Sequence, residues 1–71
     1  MNTLGQAIRK ARIDQHLQQK DLVKMTEISQ KYLSQIENDK VDPHFGLVQR
    51  IAKALKISLD PYLLEERPTH D

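Results

Sequence analysis

Seventy-one residues with a formal net charge of +1 and no cysteine describe one small domain, without disulfides and without a cysteine-based metal site. His16, His44 and His70 are too scattered to act as a ligand set. The longest apolar run is three residues, Tyr62 to Leu64, far too short to span a bilayer, and MNTLGQAIRK has no secretory h-region, so a soluble cytoplasmic protein is expected. A chain this short buries only roughly 60% of the surface its unfolded form exposes. A compact helical cluster with short connections is the economical fold, and dimerisation would add to its stability. The charge is unevenly placed. Residues 60–71 carry Asp60, Glu65, Glu66 and Asp71 against Arg67, a balance of −3, which leaves +4 on the other 59. Two readings of that balance stay open: a solvated surface with an acidic tail, or a mildly basic body suited to a polyanion.

Helical spacing runs through the chain and no strand pattern interrupts it. Thr3 can cap a first helix of about Leu4 to Gln15, whose stripe of Leu4, Ala7, Ile8 and Ala11 follows the i, i+3, i+4, i+7 rule. Ile13 falls off that stripe and is either exposed or in contact with a partner. A second helix is expected over Gln19 to Thr26, with Leu22, Val23 and Met25 as its apolar side. Gln18 is a weak cap there, but Asp21 stands where a capping-box acid would. After a short break at Glu27 and Ile28, Ser29 can cap a third helix over Gln30 to Asn38. NDKVDPH, with Pro43, reads as a loop. The fourth helix is expected over Phe45 to Leu55, with Leu47, Val48, Ile51, Ala52 and Leu55 buried and Lys53 and Lys56 suited to its C-terminal dipole. Pro61 at a first helical position suggests a short fifth helix started by Asp60 or Ser58, and RPTHD reads as a frayed tail.

The third helix is the most polar. On a wheel of about 100° per residue, Gln30, Ser34, Asn38, Lys31 and Gln35 lie within roughly 140° of one another. Tyr32, Leu33 and Ile36 form a narrow apolar seam opposite, with Glu37 at its border. The polar facet therefore holds amides, a hydroxyl and one ammonium, and no carboxylate. Side-chain amides donate and accept together, as adenine's major-groove edge requires, and a lysine can donate to guanine or to phosphate. An ordinary solvated surface has the same composition, so the helix alone leaves both readings open. Its surroundings favour recognition. Two short helices joined by a break of about three residues, the second capped and polar, make a helix-turn-helix. The Ser29 end would aim free backbone N–H groups at phosphate.

Over Leu4 to about Leu64 the chain resembles the lambda-repressor-like (Xre-type) helix-turn-helix family, through LGQAIRKAR, LQQKDLVKMTEISQKYLSQIEN and P…LVQRIAKALKISLD in that order and spacing. The resemblance implies an all-α domain of five short helices over residues 3–66, with the motif at 19–38 and a tail at 67–71. It implies base contacts from Gln30, Lys31, Ser34 and Gln35. It implies phosphate contacts from Gln19, Ser29, Asn38, Lys40 and His44. Arg12 and Glu37 match a family pair joining the first and third helices, structural in role. The chain departs from the family pattern where Gly is common, at His16, Glu27, Asp39 and Lys56. It also has Val23 in place of a small Ala, and Gln18 in place of a Ser or Thr cap.

The function so implied is a sequence-specific double-stranded DNA-binding transcriptional regulator, repression ahead of activation, working as a homodimer. Tyr62, Leu63 and Leu64 are the candidate dimer interface, or else they close the core. A dimer would read half-sites about 34 Å apart. The alternative is an antitoxin-type or other protein-interaction module that also binds DNA, meeting its partner through Ile13 and the Tyr62–Leu64 patch. No Ser, His and Asp set has catalytic spacing, so no enzyme, cofactor or metal is expected. The resemblance places the protein in a bacterial cytoplasm, nucleoid-associated and bacterial or phage-encoded.

Overall fold

The computed structural model describes residues 3–59, which form four α-helices: α1 (Leu4–Asp14), α2 (Gln19–Thr26), α3 (Gln30–Glu37) and α4 (Phe45–Leu55). Each helix start offers an acceptor to its free N–H groups. Thr3 Oγ1 accepts from Gln6 N–H, and Gln6 Oε1 accepts from Thr3 N–H, both at 3.1 Å, a full capping box. Asp21 Oδ2 accepts from Gln18 N–H at 2.7 Å. Ser29 Oγ accepts from Tyr32 N–H at 3.0 Å, and His44 Nδ1 accepts from Leu47 N–H at 3.1 Å. The expected bounds of α2 and α4 match. The first and third helices each end one residue sooner than expected, and Gln15 and Asn38 serve as C-caps.

The helix ends use left-handed backbone without glycine. His16, Glu27, Asp39 and Lys56 have φ of 61°, 62°, 61° and 58°, the four positions at which the chain departs from the family's glycines. At three of them a six-residue loop closes: Leu17 N–H donates to Arg12 O, Lys40 N–H to Gln35 O and Ile57 N–H to Ala52 O, at 2.8–3.1 Å. This is the Schellman arrangement, which satisfies the last carbonyls of a helix. Glu27 instead donates to Val23 O at 2.7 Å, the simpler left-handed cap. Each non-glycine residue in this conformation costs roughly 1–2 kcal/mol.

All four helices feed one core. Leu4 and Ile8 come from α1, Leu22 from α2, Leu33 and Ile36 from α3, and Leu47, Val48, Ile51, Ala52 and Leu55 from α4, with Leu59 closing it. Ala7 and Ala11 pack half-buried against it. Met25, expected on the apolar side of α2, is 48% exposed, and Thr26 is fully buried in its place. The helical wheel explains the exchange. Thr26 falls between Leu22 and Val23, whereas Met25 lies about 60° beyond Leu22 on the far flank. Burial of the Thr26 hydroxyl is offset by its bond to Leu22 O at 2.7 Å. Its carbonyl accepts from Arg50 Nη1 at 3.0 Å.

Gly5 sets how closely α1 approaches α3. A Cβ there would collide with the carbonyl oxygen of Ile36 and stand 2.6 Å from Asp39 Oδ1. The same corner is tied by Thr3 Oγ1 donating to Asp39 Oδ2 at 2.8 Å. The expected fifth helix, the Tyr62–Leu64 patch and the tail lie outside the described residues.

Candidate nucleic-acid interface

α3 presents two unlike faces. Leu33, Ile36 and Glu37 are buried and Tyr32 is half-buried. Gln30 and Lys31 are exposed, and Ser34 and Gln35 are half-buried. The only carboxylate in the helix is Glu37, so the outer facet carries none. Ser29, next to Gln30, keeps its hydroxyl proton free to donate, because its oxygen is the acceptor in the cap.

Glu37 is held by Arg12 through two parallel bonds, Nε to Oε2 at 2.8 Å and Nη2 to Oε1 at 3.1 Å. Arg12 Nη1 donates to Leu17 O at 2.8 Å. The side chains are 11% and 2% exposed. A buried pair is tolerable only when its remaining polar atoms are also satisfied, and among the described residues no buried side-chain polar atom lacks a partner.

The pair continues outward. Gln19 Nε2 donates to Glu37 Oε1 at 3.2 Å, and Gln30 Nε2 donates to Gln19 Oε1 at 3.4 Å, a longer contact. The order of these bonds follows from Glu37. An ionised carboxylate only accepts, so the Gln19 amide must turn its NH₂ inward and its carbonyl outward. That carbonyl in turn faces the NH₂ of Gln30. Gln30 is left with one N–H and its own Oε1, a donor and an acceptor side by side at the surface.

The remaining expected phosphate contacts fall at the end of α3, in the loop after it and at the head of α4. Asn38 Nδ2 donates to Ser34 O at 2.8 Å and so closes the end of α3. Lys40 is exposed just beyond. His44 heads α4 with its ring bound to the first turn. The helical spacing of the sequence places Gln30, Lys31, Ser34 and Gln35 on one face, whereas the close approach at Gly5, the burial of Thr26, the Thr3–Asp39 bond and the Gln19–Glu37 link emerge only from tertiary geometry.

A surface depression of about 490 Å³ lies between the start of α1 and the loop after α3, and none of Gln30, Lys31, Ser34 or Gln35 lines it. Among the described residues no group of three or more His, Cys, Asp or Glu is placed to hold a metal, and no helix is long and apolar enough to cross a membrane. On the outer side of α1, Lys10 donates to Asp14 at 2.8 Å. This bond, with the carboxylate's charge, holds the ammonium above its ordinary pKa.

A helix-turn-helix family model matches residues 8–62. The immunity repressor protein of Bacillus phage phi105 is 33% identical over 64 residues, 90% of this chain and 44% of that protein. The chain thus spans less than half the length of that relative. Among solved structures, the P22 c2 repressor protein, in complex with synthetic operator 9T in the presence of Tl+, has a similar fold. The TM-score is 0.80 at 29% identity, covering 87% of this chain and 94% of that one.

Proposed function

Because the chain belongs to the helix-turn-helix family, in its lambda-repressor-like branch, we propose that it binds double-stranded DNA sequence-specifically and represses transcription, with α3 in the major groove. The observation that carries this is the hydrogen-bond chain from Glu37 through Gln19 to Gln30. It leaves the outermost amide with the paired donor and acceptor that fit adenine N7 and N6. Lys31 then reads guanine or holds phosphate, and Ser34 and Gln35 touch neighbouring base edges.

Gln19, Ser29, Asn38, Lys40 and His44 hold the backbone on either side of the groove. Such contacts position the protein and carry no sequence information. Gln19 is a special case, since it also orients Gln30, so its loss lowers affinity and blurs specificity together. The working unit is a homodimer joined through Tyr62, Leu63 and Leu64, reading two half-sites about 34 Å apart. Residues 3–66 form its DNA-binding domain. Repression works by occupancy, the bound dimer blocking polymerase at a promoter. The protein carries out no catalysis and acts in the cytoplasm on the nucleoid. Two repressors among its relatives, one of them in complex with operator, support this reading.

Selection from random duplexes, followed by fluorescence anisotropy at several salt concentrations, tests it. The expected outcome is a two-fold symmetric site bound far more tightly than a scrambled duplex, with affinity falling steeply as salt rises. Affinity indifferent to sequence, or barely altered by salt, would sink the proposal.

A further inference from the structure

The four helices do not end alike. α1, α3 and α4 each close a six-residue loop, with Leu17 N–H donating to Arg12 O, Lys40 N–H to Gln35 O and Ile57 N–H to Ala52 O. α2 closes only through Glu27 N–H to Val23 O, the simpler cap, and α2 is the helix that leads into α3. Its last residue, Thr26, is fully buried, with its hydroxyl committed to Leu22 O at 2.7 Å. The Thr26 carbonyl is one of the final carbonyls that a helix cannot satisfy from within. Arg50 supplies the donor from another element, Nη1 to Thr26 O at 3.0 Å. The end of α2 is the negative end of its dipole, so a cationic donor is favoured there. Arg50 stands on α4, which is itself anchored in the core by Leu47, Val48, Ile51, Ala52 and Leu55. Ile28 also packs against the core. Apolar packing is non-directional, whereas a hydrogen bond to a peptide oxygen constrains the direction in which that peptide points. Ser29, the cap of α3, and then Gln30 follow Thr26 within four residues.

We infer that Arg50 is a positioning residue for base recognition: by holding the last carbonyl of α2 from α4, it fixes the turn that aims α3 and Gln30. The inference rests on the DNA-binding reading and adds to it a residue that touches no base. Arg50 is exposed, and among the described residues its side chain makes no hydrogen bond other than the one to Thr26. By exposure and charge alone it would pass for an ordinary surface cation or a further phosphate contact. The roles differ in what they do to binding. A phosphate contact strengthens every duplex alike and adds to counterion release. A residue acting through the turn changes the contrast between right and wrong base pairs, because paired hydrogen bonds to a base edge demand closer geometry than charge against phosphate.

Arg50→Met tests this, since it keeps the aliphatic stem and removes the donors. The side chain is exposed, so the variant should fold, with a thermal midpoint only slightly below wild type. In the free protein the Glu27 and Tyr32 amides, bonded to Val23 O and Ser29 Oγ on either side of the turn, should exchange hydrogen faster than in wild type. On DNA, the affinity ratio between the selected duplex and one altered at the base pair Gln30 reads should fall about three- to tenfold, with an unchanged salt slope. Arg50→Lys keeps a cationic donor and should restore most of that ratio. Arg50→Gln, whose amide stops short of Thr26, should behave as the methionine variant does. A wild-type ratio in the methionine and glutamine variants overturns the inference. So does equal weakening on all duplexes with a salt slope reduced by about one, the mark of a direct phosphate contact. A wild-type protein that ignores DNA sequence refutes the proposed function instead, and amide exchange then still decides whether Arg50 holds the turn.

Discussion

The inner and outer sides of α3 lie within one turn of each other and are built on different principles. Inside, Leu33 and Ile36 are 0% and 1% exposed, and the one charge, Glu37, is matched by Arg12. Burying each apolar side chain contributes about 1.5–3 kcal/mol, and the ion pair is tied on every side. Outside, Gln30 and Lys31 are exposed, and the Gln30 amide keeps a donor and an acceptor beyond its bond to Gln19. The inner side accounts for stability, and under the proposed function the outer side accounts for selectivity. Gln19 joins the two, taking its orientation from Glu37 and passing it to Gln30. A short polar helix can thus be both firmly docked and chemically open, provided its only acid faces inward.

Changes to the inner side should show as lost stability before any DNA is added. Glu37→Ala leaves Arg12 as an uncompensated buried charge, and should cost about 3–5 kcal/mol in urea unfolding followed by circular dichroism. A small domain has little more than that to lose, so the variant is expected to be largely unfolded near 37 °C. Gly5→Ala tests the same interface from α1. Its new methyl group meets backbone at Ile36, which cannot move aside as a flexible side chain would, and a loss of about 1–3 kcal/mol is expected.

Changes to the outer side should do the reverse. Gln30→Ala should leave the unfolding midpoint within about 0.5 kcal/mol of wild type. It should also remove about 1–3 kcal/mol of discrimination at one base pair, read by anisotropy on single-substituted duplexes. Glu27→Gly touches neither face. Relief of its left-handed backbone, less the added freedom of glycine in the unfolded chain, should stabilise the protein by about 0.5–1 kcal/mol. Smallest of all is Asp14→Asn, which breaks an exposed i,i+4 pair. No measurable change in unfolding is expected, since such pairs contribute little.

Much of this arrangement is legible in the sequence, for identifiable reasons. Ser29 and Pro43 mark boundaries through local chemistry, and the apolar spacing of α4 leaves one face to bury. The acid-free facet of α3 emerges from the wheel. The Arg12–Glu37 match comes from the family resemblance, since 25 residues separate the partners and no periodicity relates them. Met25 and Thr26 show where a hydrophobicity rule fails, because a hydroxyl that bonds its own helix can be buried while a larger apolar neighbour is left outside. The left-handed backbone at His16, Glu27, Asp39 and Lys56 is signalled by the resemblance, which has glycine there, and by residue type only at Asp39. The requirement comes from the carbonyls each helix must satisfy as it ends. The role of Gly5 is hidden for a different reason, since its neighbour lies 31 positions away on α3.

Binding-site selection run in parallel on wild type and Gln30→Ala tests the division of labour in α3 most directly. The expected result is one site for the wild type with adenine at a defined half-site position, and the same site for the variant with preference lost at that base pair alone. Identical preferences at every position for the two proteins, with both folded, would contradict the assignment of the outer facet to base recognition.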